Sequence, residues 1–291
     1  MITDQTYYHI TFHQQLDCLR YHIDNVMSWK DSGRLNFVLT SAHLDNLEKI
    51  KQYITNKYPE KKVETVKIPV DKGYNLGTIT NVVEGLRYIA GKGSFDYVIN
   101  VEADNMFYFE NKVNKILDLM KLENKHVLII PEGDVTITNI GNDIFGRRGL
   151  KIGCHLSNNI PKYYHFTTLN MFSKEYLTNF FPFEYYDDII NFSWAGRPNT
   201  PYEDYMGLAT MKKNALTEES QVDFYRKVGL KLDYNIDHSP FGWNEPDNMV
   251  PDKFIKWGII NAPSTAGGSQ HGDWTNLIGF INKHKPLVVN D

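Results

Sequence analysis

The chain has 291 residues, 42% hydrophobic and 23% charged, which suits one large domain or one domain with a sizeable appendage around a true core. A net charge of −4 without a lysine-rich arm argues against general nucleic-acid binding, and no apolar run reaches the length of about eighteen residues that a membrane span needs. Cys18 and Cys154 stand alone with no CxxC pair, so a structural zinc site of that kind is excluded.

The first half alternates strand and helix signals, the pattern of an α/β fold. Tyr7 to Phe12 reads as a first strand, and Leu16, Leu19, Ile23 and Val26 recur at helical spacing to about Trp29. Leu35 to Leu39 is a second strand, Asp45 to Lys57 a second helix closed before Pro59, and Lys62 to Ile68 a third strand. Gly73 and Gly77 then suggest a loop, followed by a helix whose apolar face is Ile79, Val82, Val83, Leu86 and Ile89. Phe95 to Val101 is apolar enough for a central strand and runs directly into Glu102-Ala103-Asp104-Asn105. Val113, Ile116, Leu117 and Met120 mark another helix, and His126 to Ile130 a fifth strand. Beyond Pro131 the pattern loosens. Expected there are a strand over His165 to Met171, a helix capped by Ser173 through Phe180 and a loop over Asp187 to Pro201. A helix over Glu203 to Ala215, a strand over Val228 to Ile236 and a last helix near Asn276 to Lys283 complete the reading.

Open α/β sheets bind ligands beyond the carboxyl ends of their strands, so chemistry is sought there. Glu102 and Asp104 leave an apolar strand directly, and a divalent cation bridging two phosphates needs only one or two protein carboxylates; an acidic helix-capping turn is the alternative. In the segment Lys72 to Asn81, Gly77 permits close backbone approach and Asn75 offers both donor and acceptor groups to a ribose or phosphate. It fits neither the P-loop nor the GxGxxG pattern, so an ordinary loop before a helix is the alternative. Glu203-Asp204 opens a helix, where a carboxylate serves as a cap or, when positioned, as a general base. Trp194 upstream offers a stacking platform for a sugar, as the 18 Tyr and 16 Phe of the chain do more generally, although a large aromatic core accounts for them equally well. His238 and His271 are candidate metal ligands or simply structural histidines.

The order of these features resembles the A-type glycosyltransferase (GT-A) fold. YNLGTITNVVEGLRYI looks like the asparagine-glycine segment before that family's acidic motif, and NVEADNMF stands where the Asp-x-Asp motif would be, with Glu102 in the first acidic position. HFTTLNMFSKEYL is similar to the later strand–helix segment in which a residue at Asn170 faces donor or acceptor. NFSWAGRPNTPYEDYMGL is similar to the segment before the Glu-Asp pair of galactosyltransferase-like enzymes, and HSPFGWNEPDN to their histidine-containing stretch. The resemblance implies one domain with a mixed, mostly parallel sheet flanked by helices. A Rossmann-like nucleotide-binding half, residues 1–131, would be fused to an acceptor half, residues 132–291. It implies a UDP- or GDP-sugar donor with its base near Phe12, His13 and Ser41 and its ribose near Asn75. It also implies Mn²⁺, or else Mg²⁺, on Asp104 and His238, and Asp204 as base of an inverting transfer to a carbohydrate acceptor. Glu203, Trp194 and Asn170 would lie against that acceptor.

A sugar nucleotidyltransferase is the rival enzyme, but FHQQLDCLRYH after the first strand lacks the glycine-rich triphosphate loop it needs. A non-catalytic sugar- or nucleotide-binding module is the rival from another class. Two isolated cysteines, and an N-terminus that reads as neither signal peptide nor anchor, lead to the expectation of a cytoplasmic protein.

Overall fold

Four parallel strands form the frame of the molecule: β1 (Thr6–Thr11), β2 (Leu35–Ser41), β3 (Val63–Lys67) and β4 (Tyr97–Glu102). The structure is a computed structural model, and it describes residues 1–14, 16–71, 74–122, 126–129, 151–153, 169–179, 181, 183, 187, 254–255, 258–261 and 274–288. Later in the chain come β5 (Asn105–Phe107), β6 (Val127–Ile129), β7 (Lys151–Gly153), β8 (Leu169–Ser173) and β9 (Ile259–Asn261). The main sheet has the order β3-β2-β1-β4-β8-β6-β7; β8 is antiparallel to both β4 and β6, and β7 is antiparallel to β6. The fold is therefore α/β with a mixed, mostly parallel sheet. A strand from beyond residue 131 lies inside it, between β4 and β6.

The two sheet faces differ because successive side chains of a strand point oppositely. Tyr8, Ile10 and Phe12 of β1 and its end join Phe37, Leu39, Ile99, Val101, Leu169 and Met171 in one large core. Onto that face pack α1 (Leu16–Met27), α2 (Leu44–Lys57) and α4 (Glu110–Leu122), through Leu19, Ile23, Leu47, Ile50, Val113 and Leu117 among others. The opposite face carries a buried polar row: His9, Thr11, Thr40, Asn100 and Asn170. Helix α3 (Tyr74–Lys92) covers it, and Gly85 makes the close approach possible. A Cβ there would lie 2.0 Å from His9 Nε2. The helix stops at Gly93, whose φ of 70° suits a glycine in the left-handed region. Helix α5 (Lys174–Asn179) begins as expected at Ser173, whose Oγ accepts the Tyr176 N–H at 3.2 Å.

Helix α3 starts earlier than the sequence suggests. Gly77 is a buried residue of its first turn, not a loop glycine. The spacing explains this: Gly77, Asn81 and Gly85 recur every four residues and share one helix face. The pairing of β5 with β9 was not foreseen either. It ties residues 259–261 to the turn after β4, and a second small core forms from Met106, Phe254, Ile260, Leu277 and Ile281, the last two on α6 (Trp274–His284). The expected final helix is thus present, and it serves the strand that follows the acidic turn.

Gly258 controls this junction. Its N–H reaches the Phe254 carbonyl at 2.8 Å, its own carbonyl accepts the Tyr108 N–H at 2.6 Å, and its φ is 66°. A Cβ would meet Phe109 Cδ2 at 2.8 Å. Gly258→Ala is therefore expected to destabilise the protein by about 1–3 kcal/mol, from positive φ plus contact with the ring. Urea unfolding checks this; a midpoint equal to wild type would contradict it. Among the described residues no helix is long and apolar enough to cross a membrane.

Candidate functional site

The chain leaves β1 toward β2 and β3 on one side and returns to β4 on the other, so strand order reverses at the β1–β4 pair. Such a switch point opens a crevice at the carboxyl ends of the two strands. Residues 12–14 follow β1 there, 102–105 follow β4, 42–43 follow β2 and 68–71 follow β3.

The acidic turn is held from below. The Ala103 N–H donates to the Thr11 carbonyl at 2.9 Å, continuing the β1–β4 pairing by one step. The Ala103 carbonyl in turn accepts from two side chains of α1, the Cys18 thiol at 3.1 Å and His22 Nδ1–H at 3.2 Å. The Tyr8 hydroxyl donates to His22 Nε2 at 2.7 Å and so fixes that ring. These groups turn α1 into a clamp on the residue between the two carboxylates.

Asp104 is buried, 8% exposed, and its Oδ1 accepts from Asn105 Nδ2 at 2.9 Å. Among the described residues it has no ion-pair partner. Burial pushes its carboxyl up to about 6, against the pull of the Asn105 amide and a backbone N–H. Glu102 keeps some surface exposure yet is closely surrounded. Burial, with the nearby Asp104 charge, holds it well above the usual carboxylate range. A cation beside two neighbouring carboxyl groups would favour their ionised forms.

At the ends of β1, β2 and β3 the structure gathers His13, His43 and Asp71. The two histidine Nε2 atoms lie 3.0 Å apart, with the rings edge to face, and Asp71 Oδ2 is 3.3 Å from His43 Nε2. The His43 N–H donates to Ser41 Oγ at 3.1 Å, which sets the strand exit. His43 and Asp71 escaped the sequence reading, although the strand-end rule that singled out Glu102, applied to β2 and β3, points to both.

The other expected residues divide clearly. Phe12 is 4% exposed and lies in the core, so its ring is not presented to a ligand; the alternation of β1 sends it to the apolar face. Ser41 is buried, with its hydroxyl engaged by His43. His13 is partly exposed just beyond the end of β1. Gly77, in the first turn of α3, is not the close-approach loop glycine expected, and Asn75 lies two residues before it in the same turn. Asn170 is fully buried on β8 opposite Asn100, and its amide finds no partner among the described residues. Trp194, Glu203, Asp204, His238 and His271 lie outside the described residues.

Two buried histidines make the frame acid-sensitive. His9 donates Nδ1–H to Asn100 Oδ1 at 2.7 Å and accepts the Thr40 hydroxyl at Nε2 at 2.9 Å. Burial lowers both His9 and His22 to about 4, although their hydrogen bonds to Asn100 and to the Ala103 carbonyl oppose it. The unfolded chain then binds more protons between the ordinary histidine value and about 4, so stability falls as pH drops through that window. Each histidine accounts for about 3 kcal/mol across it. Asp104 works the other way, because its folded value exceeds its unfolded one, and it offsets about 3 kcal/mol of this loss as pH falls from 6 toward 4. Glu102, also raised, acts in the same direction as Asp104. Urea midpoints measured from pH 7.5 to 4.5 are therefore expected to fall more steeply, or rise less, in Asp104→Asn than in wild type. Parallel profiles for the two proteins would contradict the Asp104 assignment.

No protein-family profile matches the chain, and no curated protein is similar to it. Solved structures do show a likeness. The S. aureus TarS 1-349 structure gives a TM-score of 0.41 at 11% identity over 64% of this chain and 53% of that one; the chain thus spans about half of its length. The mannosyltransferase PcManGT from Pyrobaculum calidifontis, solved with GDP-Man and Mn²⁺, gives 0.43 at 9% identity over 98% and 81%. A cytidylyltransferase from Leptospira borgpetersenii serovar Hardjo-bovis gives 0.37 at 11% identity over 99% and 98%.

Proposed function

We propose that the chain is a metal-dependent glycosyltransferase. It would move a sugar from a nucleotide-diphosphate donor, UDP- or GDP-linked, to a carbohydrate or other hydroxyl acceptor. The observation that carries this is the Glu102-Ala103-Asp104 turn, clamped at the switch point, with two enclosed carboxyl groups beside one another. A diphosphate brings a divalent cation with it, and such a cation needs one or two protein carboxylates. Asp104 would hold it, with His238 as second ligand; a mixed nitrogen and oxygen set favours Mn²⁺ over Mg²⁺. Bound there, the ion would neutralise charge on the leaving nucleoside diphosphate.

The chain's own residues supply the rest of the scheme. The α1 clamp keeps Ala103, and with it both flanking carboxylates, at the crevice before any ligand arrives, so little reorganisation accompanies binding. Asp204 would take the proton from the acceptor hydroxyl as that oxygen attacks the anomeric carbon from the face opposite the diphosphate, with inversion. Glu203, Trp194 and Asn170 are assigned to the acceptor, Trp194 by stacking. The inverting course and these roles extend the reading and rest on the sequence resemblance.

The test is a calorimetric screen of UDP- and GDP-sugars with and without Mn²⁺, repeated on Asp104→Ala and Asp204→Asn. Manganese-dependent binding of one donor, lost in Asp104→Ala and retained without transfer in Asp204→Asn, is the expected pattern. Donor binding without turnover under any acceptor would favour a binding module. Formation of a sugar nucleotide from a nucleoside triphosphate and a sugar phosphate would replace transfer by nucleotidyl transfer.

A further inference from the structure

The geometry points to a second cation site, separate from Asp104, in which His13, His43 and Asp71 bind a transition-metal ion of the Zn²⁺ class at the ends of β1, β2 and β3. Three consecutive parallel strands each deliver one ligand type to one place. Around a tetrahedral ion with bonds of about 2.1 Å, ligand atoms lie about 3.4 Å apart. The observed separations are 3.0 Å between the two Nε2 atoms and 3.3 Å from His43 Nε2 to Asp71 Oδ2. Asp71 Oδ2 also lies 4.0 Å from His13 Nδ1.

A neutral imidazole nitrogen either donates or accepts. His43 Nε2 faces both the His13 Nε2 atom and a carboxylate oxygen of Asp71. An ion between the three groups is met by all of them as lone-pair donors. Each imidazole would meet the ion through a ring-nitrogen lone pair. Two nitrogens and one oxygen suit Zn²⁺ and its neighbours over the all-oxygen ions Mg²⁺ and Ca²⁺. Side-chain exposures of 38%, 28% and 37% give an ion access to the three groups from solvent. His43 is positioned by its backbone bond to Ser41, which fixes where its ring leaves the strand. The inference goes beyond the proposed transfer reaction and stands without it.

The experiment uses the full chain stripped with chelator and then titrated with Zn²⁺ alone by calorimetry, and with Co²⁺ alone to read the visible d–d band of a tetrahedral site. One Zn²⁺ per chain is expected at these three residues, and it should remain in Asp104→Asn, where an ion held by the donor site is lost. Affinity should drop about a hundredfold or more in His13→Ala, His43→Ala and Asp71→Asn, since even supporting residues around a metal contribute ten- to hundredfold. Where an alanine variant unfolds, His43→Gln provides the same loss of ligand at similar volume. No Zn²⁺ uptake by folded protein, or uptake unchanged in His43→Gln and Asp71→Asn, overturns the site.

Discussion

Asp104→Asn is expected to make the metal-free protein more stable at pH 7.5 while abolishing manganese-dependent donor binding. Burial raises the Asp104 carboxyl from its ordinary 3.8 to about 6, so at neutral pH the folded state carries an ionised group it holds at a cost of about 3 kcal/mol. The amide is neutral at every pH, keeps an oxygen for the Asn105 Nδ2 donor and removes that cost. The sign is fixed by linkage. The stability conferred by a raised carboxyl is present below its unfolded value and lost as pH rises through its folded one. The advantage of the variant should therefore be largest above pH 7 and vanish near pH 4. Chemical denaturation of both proteins in chelator, at several pH values, measures it. A variant less stable than wild type at pH 7.5 would mean that the carboxylate already has a cationic partner. This is the familiar opposition between function and stability, in which a site keeps a group that the fold alone would reject.

Gly85→Ala is expected to destabilise by about 3 kcal/mol even though alanine is the better helix former. The added Cβ would lie 2.0 Å from His9 Nε2, 2.3 Å from its Cε1 and 2.7 Å from Thr40 Oγ1. His9 cannot swing aside cheaply, because both ring nitrogens are hydrogen-bonded in a fully buried position. Helix α3 must lift from the sheet or the His9 bonds must break. The residue responsible is identified by a double-mutant cycle: His9→Ala should be destabilising alone, and the pair less destabilising than the sum. Strict additivity would show that His9 is not what Gly85 accommodates.

The parallel frame was legible because its periods are clean. Tyr8, Ile10 and Phe12 alternate with His9 and Thr11, and Leu19, Ile23 and Val26 recur at helical spacing, so β1 and α1 stand close to where the sequence put them. The early start of α3 was hidden by Gly77, since a glycine in a first helical turn looks locally like a loop residue. Its burial comes from packing, which propensity does not contain. Strand β5 has three residues, too few for any period, and its partner β9 is remote in sequence. At the site, the acidic turn was visible because its residues are adjacent. His13, His43 and Asp71 were not visible as a group, because only the register of three parallel strands brings them together. The burial of Phe12 was implicit in the alternation of its own strand.

The β5–β9 ribbon also sets an order of events. Asn105 pairs with Asn261, a contact closing a loop of about 150 residues, and such contacts form late because loop entropy is spent before they return anything. During synthesis at about 5–20 residues per second, the acidic turn would emerge several seconds before the segment that braces the strand following it. Until then Met106, fully buried in the finished protein against Phe254, Ile260, Leu277 and Ile281, would face water on an unpaired strand edge. The brace on the acidic turn thus matures late, and the nascent chain needs protection while that edge is open.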